Sequence, residues 1–261
     1  MITMDAALQD DPRLARGGLW DELADAIREM QDLILEDPRV NTPLLRAEGM
    51  RFLTRVITGG FPQTMEGWDF EHPWLVKFIG PYLQYGIPGA DTRYHFAAVH
   101  GDHVYRIKGN RGTERLFDVE TRTGHTANLF EWKLIDRKSD FQVEDDGTIE
   151  IVLSATEQPG NWIRTSEGPG SIIMREYFYD WDTEVSSDLV IEKDDAQFPP
   201  APLTPQKVAE GLELSIAWVR SLGKATQFAI NEYFEAEPGT LRFVEIDFAW
   251  RDLLYGKGIY H

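Results

Sequence analysis

Between about Lys77 and Lys193 the chain breaks into short segments that alternate apolar and polar residues, separated by Gly, Pro, Asn and Asp. Period-two alternation in short runs is what half-buried strands require, and a helical stripe cannot satisfy it. Seven segments carry the pattern: Arg93–His100, His103–Gly109, Glu114–Val119, Ala127–Lys133, Phe141–Val143, Thr148–Ser154 and Ser171–Trp181. Short strands punctuated this often fold as a sandwich or jelly roll.

The flanks follow a different period. Trp20, Leu23, Ala24, Ile27, Met30 and Ile34 recur at three- and four-residue spacing, the mark of an amphipathic helix. Thr42-Pro43 opens a second helix carrying Leu45, Phe52, Leu53 and Val56, which Gly59-Gly60 should end. After a stiff Phe198–Pro202 linker, Thr204-Pro205 caps a helix with Val208, Leu212, Ile216 and Val219 on one face. Gly223 is expected to break it before Ala225–Phe234, Pro238-Gly239 reads as a turn, and Leu241–Trp250 fits strand or helix. The expected class is α+β: an antiparallel jelly-roll-like β-sandwich flanked by N-terminal and C-terminal helices. Its parts are a helical region 1–76, a sandwich core 77–195, and a proline linker with a C-terminal helical region, 196–261, packed on the sandwich.

Charge and composition restrict the partners. Acids outnumber bases 44 to 26, a net charge of -18, which argues against nucleic acid and anionic membrane surfaces. There is no cysteine, so thiolate nucleophiles, disulfides and thiolate metal sites are excluded. A signal-peptide pattern and a long apolar run are both absent, so a cytoplasmic protein is expected. No His-Glu-x-x-His, phosphate loop, nucleophile elbow or dinucleotide fingerprint occurs. The partner expected is therefore a small molecule, with no cofactor and no metal; helical flanks lean the assembly towards a homodimer.

The candidate site grows from one segment. Gly101-Asp102 reads as a two-residue hairpin turn, which would place His100 opposite His103, Ala97 opposite Arg106, and His95 opposite Lys108. One face then carries Arg93, His95, Arg106 and Lys108, and the other carries Tyr94, Phe96, Ala98, Tyr105 and Ile107. The plain reading is an outer face whose bases pair with acids on neighbouring strands. The functional reading is a concave face for an oxyanion, in which Lys108 lowers the pKa of His95 and leaves it a neutral base. His100 and His103 could also be a metal pair, although two histidines at an exposed turn are more simply solvated. Trp68, Trp74, Phe78, Tyr82 and Tyr85 form an aromatic-rich entry to the strand zone.

The most distinctive stretch is Asn161-Trp162-Ile163-Arg164 followed by Glu167-Gly168-Pro169 and an apolar strand with Arg175 and Tyr177. It resembles the signature of the bacterial domain of unknown function 1214, over about Tyr82 to Trp181. The resemblance implies a jelly-roll-like sandwich, often following another uncharacterised domain (number 1254), and is silent about chemistry. Arg164, Gly170 and Glu176 depart from the family pattern, where proline, an aromatic and leucine are usual. Asn161 and Trp162 read either as a side-chain-capped turn with a core plug or as ligand contacts. Arg175 and Tyr177 read equally as a buried ion pair or a substrate clamp.

Taken together, the residues suggest a cofactor-independent acid–base enzyme. The most concrete form is a lyase eliminating water or an aldehyde from an oxygenated aromatic or other apolar small molecule. Its catalytic residues would be His95, Lys108 and Tyr177, and its substrate contacts Tyr94, Arg106, Asn161, Trp162, Arg164 and Arg175. A non-catalytic carbohydrate- or metabolite-binding module is the alternative. A metal-dependent enzyme using His95, His125 and a carboxylate is the third.

Overall fold

The computed structural model describes residues 11–80, 83–86 and 88–235. Tyr82, the Pro238-Gly239 turn and the Leu241–Trp250 segment lie outside them. The chain forms two compact units. One is drawn from Met1–Met65, Ala127–Phe130 and Ala201–His261, the other from Glu66–Thr126 and Glu131–Pro200. The N-terminal and C-terminal helical regions thus belong to one unit, and the strand unit begins at Glu66 and ends at Pro200.

The helical unit contains α1 (Pro12–Ala15), α2 (Gly18–Leu35), α3 (Pro43–Phe61) and α4 (Pro205–Glu235). The α2 helix buries Leu19, Leu23, Ala26 and Met30, spaced four, three and four apart as a single stripe demands; Trp20 lies outside that stripe and is exposed. Thr42 caps α3 by accepting from the Leu45 N–H at 3.2 Å. Gly59-Gly60 does not end the helix. It leaves room for Trp218, whose Nε1 donates to the Val56 carbonyl at 2.8 Å. Gly223 does not break α4 either: a Cβ there would stand 3.2 Å from Met30 Cγ, so the glycine serves close helix packing. No described helix is long and apolar enough to cross a membrane.

Among the described residues the strand unit holds nine strands: β1 (Val76–Ile79), β2 (Thr92–His100), β3 (Tyr105–Asn110), β4 (Leu116–Thr123), β5 (Leu134–Lys138), β6 (Thr148–Ser154), β7 (Trp162–Arg164), β8 (Pro169–Tyr177) and β9 (Asp188–Lys193). They form a five-stranded sheet, β1-β2-β8-β4-β5, and a four-stranded sheet, β7-β6-β3-β9. All pairs are antiparallel except β6 with β7. Ala97, Val99, Phe117, Val119, Ile172 and Met174 of the first sheet share one buried cluster with Tyr105, Ile107, Ile149, Ile151, Leu153, Ile163 and Ile191 of the second. Two sheets face each other across this core, and the arrangement is not a closed barrel.

The expected β2–β3 hairpin does not form. Between His100 and Tyr105 the chain crosses from one sheet to the other, so β2 pairs with β1 and β8 while β3 pairs with β6 and β9. The turn itself exists, with His103 N–H donating to the His100 carbonyl at 3.0 Å. The Tyr105 hydroxyl fixes the crossing by accepting from His100 N–H at 2.9 Å and donating to the Phe70 carbonyl at 3.0 Å. A Cβ at Gly101 would overlap the Ser166 carbonyl oxygen, which ties the crossing to the Glu167-Gly168-Pro169 loop. Phe96, Ala97, Ala98 and Val99 are all buried, because β2 is covered on both faces and both edges, whereas a solvent-exposed hairpin arm would show alternation.

Other strand expectations also shift. In place of a strand, Ala127–Lys133 holds a single 3-10 turn at Thr126–Asn128, and Phe141–Val143 is not a strand. β1, β5, β7 and β9 were not expected. They are edge strands of three to six residues, too short for a two-residue period to stand out.

Candidate functional site

The polar end of the first sheet is built by register. Lys77 of β1 lies opposite His95 of β2, and Arg93 of β2 lies opposite Glu176 of β8. Directly opposed residues project from the same face, so Lys77, Arg93, His95 and Glu176 share the face that Ala97, Val99 and Met174 line deeper in the core. Glu176 continues the Ile172-Met174 row and is fully buried. Its Oε1 accepts from Ser186 Oγ at 2.6 Å, Ser187 N–H at 2.8 Å and Ser187 Oγ at 2.9 Å. Its Oε2 has no hydrogen-bond partner, and neither has His95 Nδ1. These two atoms face each other at 3.6 Å, too far for a hydrogen bond. Two adjacent buried polar atoms left unpaired are costly, and His95 is only 7% exposed.

Glu114 extends the cluster. It is buried, its Oε1 pairs with Arg111, and its Oε2 has no partner. Arg111 lies over the Phe117 ring at 4.6 Å. The intervening Gly112 has φ +75°, and a Cβ there would stand 2.5 Å from Glu114 Oε2 and 2.6 Å from Ser187 N, so a side chain is excluded by space as well as by backbone conformation.

These surroundings set the proton equilibria. Burial pushes the His95 pKa down; Glu176 opposes that, while Lys77 and Arg93 add to it. The lowered pKa expected from Lys108 is therefore present in direction but arises from burial and different cations. Burial also pushes Glu114 up to about 7, Arg111 opposing and Glu176 reinforcing. A neutral imidazole and a carboxyl that titrates near neutrality are the equipment of proton transfer. Arg93 lies 5.0 Å from the Phe178 ring centroid and 5.2 Å from that of Trp181, two rings stacked at 4.2 Å.

The remaining expected site residues lie elsewhere. Arg106 pairs with Glu150 at 2.6 Å and Asp194 at 2.7 Å, and Lys108 pairs with Glu192 at 2.5 Å. Both stand on the outer face of the second sheet, so neither joins His95, and the plain reading of paired outer bases holds for them. Arg175 and Tyr177 alternate with Glu176 and so occupy the opposite face of the first sheet. Arg175 pairs with Glu120 at 2.5 Å and Asp118 at 3.4 Å, Arg122 with Glu120 at 2.7 Å, and Arg137 with Asp118 at 2.5 Å. The Tyr177 hydroxyl donates to Asp118 Oδ2 at 3.0 Å. Burial and the Asp118 charge push its pKa up, so the Tyr177 hydroxyl is a donor within an ion-pair network on the face opposite His95.

Tyr94 shares that opposite face, its hydroxyl accepting from Gly89 N–H at 2.9 Å. Asn161 is a structural clasp: Nδ2 donates to the Gln142 and Glu150 carbonyls at 2.8 and 3.0 Å, and Oδ1 accepts from Gln142 N–H at 2.8 Å. Trp162 donates from Nε1 to Ser154 Oγ at 3.1 Å, beneath Lys138 at 5.4 Å. The Arg164 side chain is exposed. These three belong to the β7 edge and do not converge with His95.

His125 packs on Phe96 at 5.5 Å, the face opposite His95, so the two histidines do not form a metal pair. His100 and His103, 5.8 Å apart, face Asp102 and Glu71 respectively, and no described group of three such residues could hold a metal. In the helical unit, Leu33, Glu36, Asp37, Pro38, Arg39, Gln227 and Asn231 line a depression of about 530 Å³, whose Arg39 pairs with Asp37. The sequence reading missed Lys77, Arg111, Glu114, Ser186 and Ser187. The usable signal was Glu176, a single acid in the otherwise apolar inward row Ile172, Met174, Glu176, Phe178.

No family model matches the chain, and no curated protein matches it. Among solved structures, an uncharacterized protein from Burkholderia cenocepacia is similar, with 30% identity and a TM-score of 0.78 over 84% of this chain. The chain spans 61% of that protein's length. The VPA0106 protein from Vibrio parahaemolyticus matches at 17% identity and a TM-score of 0.33, over 58% of this chain and 46% of its own.

Proposed function

We propose that this chain is a cofactor-independent acid–base enzyme, a lyase acting on an oxygenated aromatic or other apolar small molecule, with His95 as its base. The observation that carries the reading is the unpaired His95 Nδ1 facing the unpaired Glu176 Oε2. In a water elimination, His95 takes a proton from the carbon beside the one bearing a hydroxyl. The C–H electrons form the double bond, the C–O bond breaks, and the departing oxygen leaves as water with a proton from solvent. The imidazolium so formed closes onto Glu176, whose charge is held in place by Ser186 and Ser187; that pairing is stronger in the transition state than before it.

The test is incubation of substoichiometric protein with a pool of phenolic, terpenoid and other small metabolites, followed by mass spectrometry. Consumption beyond the protein's molar amount supports the reading, and His95→Gln should lower it about 10²–10⁴-fold. Full turnover by that variant overturns it. One compound retained without consumption would favour the second reading, a binding module, for which Trp181 and Tyr179, 45% and 81% exposed, offer aromatic surface.

The same reading treats the chain as a divergent relative of the domain of unknown function 1214 family, supported by Asn161, Trp162, Glu167, Gly168, Pro169, Arg175 and Tyr177. The crossings between the sheets at β2–β3, β3–β4, β5–β6, β7–β8 and β8–β9 support a jelly-roll-like topology. The acidic charge supports a cytoplasmic enzyme that engages neither nucleic acid nor membrane, and a homodimer is its expected state.

A further inference from the structure

We infer that the molecule taken by this site is an organic monocarboxylate, held through its carboxylate by Lys77 and Arg93; the inference rests on the acid–base reading of His95 and names the substrate class. Most strand-borne cations of this unit are neutralised. Arg106, Lys108, Arg122, Arg137, Arg175 and Lys193 each sit on a carboxylate. Among the described residues, Lys77 and Arg93 have neither an ion pair nor a side-chain hydrogen bond. On a chain of net charge -18, two unpaired cations beside one buried histidine are unexpected from composition.

Their placement converges. Lys77 is opposite His95 on β1, and Arg93 precedes it by two residues on β2, so all three project from one face. Phe178 and Trp181 hold the Arg93 guanidinium against their rings, leaving its N–H groups without an acceptor. A planar fork with fixed orientation suits bidentate contact with a carboxylate. The charge balance agrees. Among the charged groups that act on His95, the two cations and one carboxylate, Glu176, leave one positive charge while His95 is neutral. A single negative charge completes the site, whereas a phosphate dianion would overfill it. Trp181 beside Arg93 gives the apolar remainder of the molecule a surface.

The experiment uses the full chain, with benzoate and acetate as probes and benzamide as the neutral counterpart. The His95 ring signals are followed by NMR across a pH series. The charged groups facing His95 are Lys77 from β1, Arg93 from its own strand and Glu176 from β8. An added carboxylate offsets the first two, so benzoate should shift the His95 signals saturably and raise its titration midpoint, while benzamide does neither. Lys77→Gln, at an exposed position, should weaken benzoate binding about tenfold or more and leave folding intact; Arg93→Gln should act likewise. Equal effects of benzoate and benzamide, no saturable shift from benzoate or acetate, or wild-type affinity in Lys77→Gln overturns the inference. Turnover confined to neutral compounds would also overturn it while sparing the acid–base reading. Carboxylate binding without turnover of any compound would retain the inferred subsite and remove the enzyme reading.

Discussion

Replacing Glu114 with Gln should change how stability depends on pH. The Glu114 carboxyl has an ordinary pKa of 4.5 and reaches about 7 in the folded chain, chiefly through burial. Between those values the folded state keeps the proton and the unfolded chain has released it, so stability falls as pH rises through the window. The favourable contribution is complete below pH 4.5 and lost above pH 7. The difference, 7 − 4.5, corresponds to about 3 kcal/mol. Glutamine mimics the protonated carboxyl and should remove this slope. It also strips Arg111 of its charged partner, so the gain at pH 8 will be smaller than the full figure, and the slope is the cleaner observable. His95 works in the opposite direction: its lowered pKa means stability is lost as pH falls below 6.5. The difference between wild type and Glu114→Gln cancels that contribution. Urea unfolding followed by tryptophan fluorescence at intervals from pH 4.5 to 8 provides the measurement. If the difference in unfolding free energy stays constant across the series, Glu114 does not titrate as its burial and unpaired Oε2 require.

The ion-pair network predicts a contrast on the other sheet face. Arg175→Met leaves Asp118 and Glu120 buried beside fewer cations and should cost about 3–5 kcal/mol in urea unfolding, whereas Lys108→Gln, a change at an exposed pair, should leave the unfolding midpoint where it is. Tyr177→Phe removes a donor to a buried carboxylate and should cost about 1–3 kcal/mol. Because that hydroxyl does not exchange protons in the proposed reaction, the pH dependence of any turnover found should be the same in this variant, and a shifted profile would return Tyr177 to the mechanism.

What the sequence discloses depends on whether a residue's neighbours are near it along the chain. Helix caps are local, so Thr42 and the strand Thr148–Ser154 are legible. The fate of Gly101-Asp102 is not, because a two-residue turn serves a hairpin and a sheet crossing equally. Phe96-Ala97-Ala98-Val99 speaks against the hairpin, because an unbroken apolar run implies cover on both faces. A hairpin would set Arg106 and Lys108 beside His95, whereas the crossing sends them to the outer face of the second sheet. His95 was identifiable as a candidate, but its real neighbours come from β1 and β8, and no short-range pattern joins Lys77 or Glu176 to it. Arg175 and Tyr177 illustrate the reverse. Their residue types suit a ligand clamp, and only the acids of β4, more than fifty positions earlier, show that their charges and hydrogen bonds are already taken.

The position of β8 between β2 and β4 bears on synthesis. Both neighbours precede it in the chain, and β8 is the central strand they share. While residues 169–177 are still within the ribosome, β2 and β4 each present an open strand edge next to a nascent, apolar surface. Open edges are templates for pairing with other chains. This sheet therefore cannot close before β8 emerges, and a chain truncated before Pro169 should expose two adhesive edges instead of a smaller stable sheet.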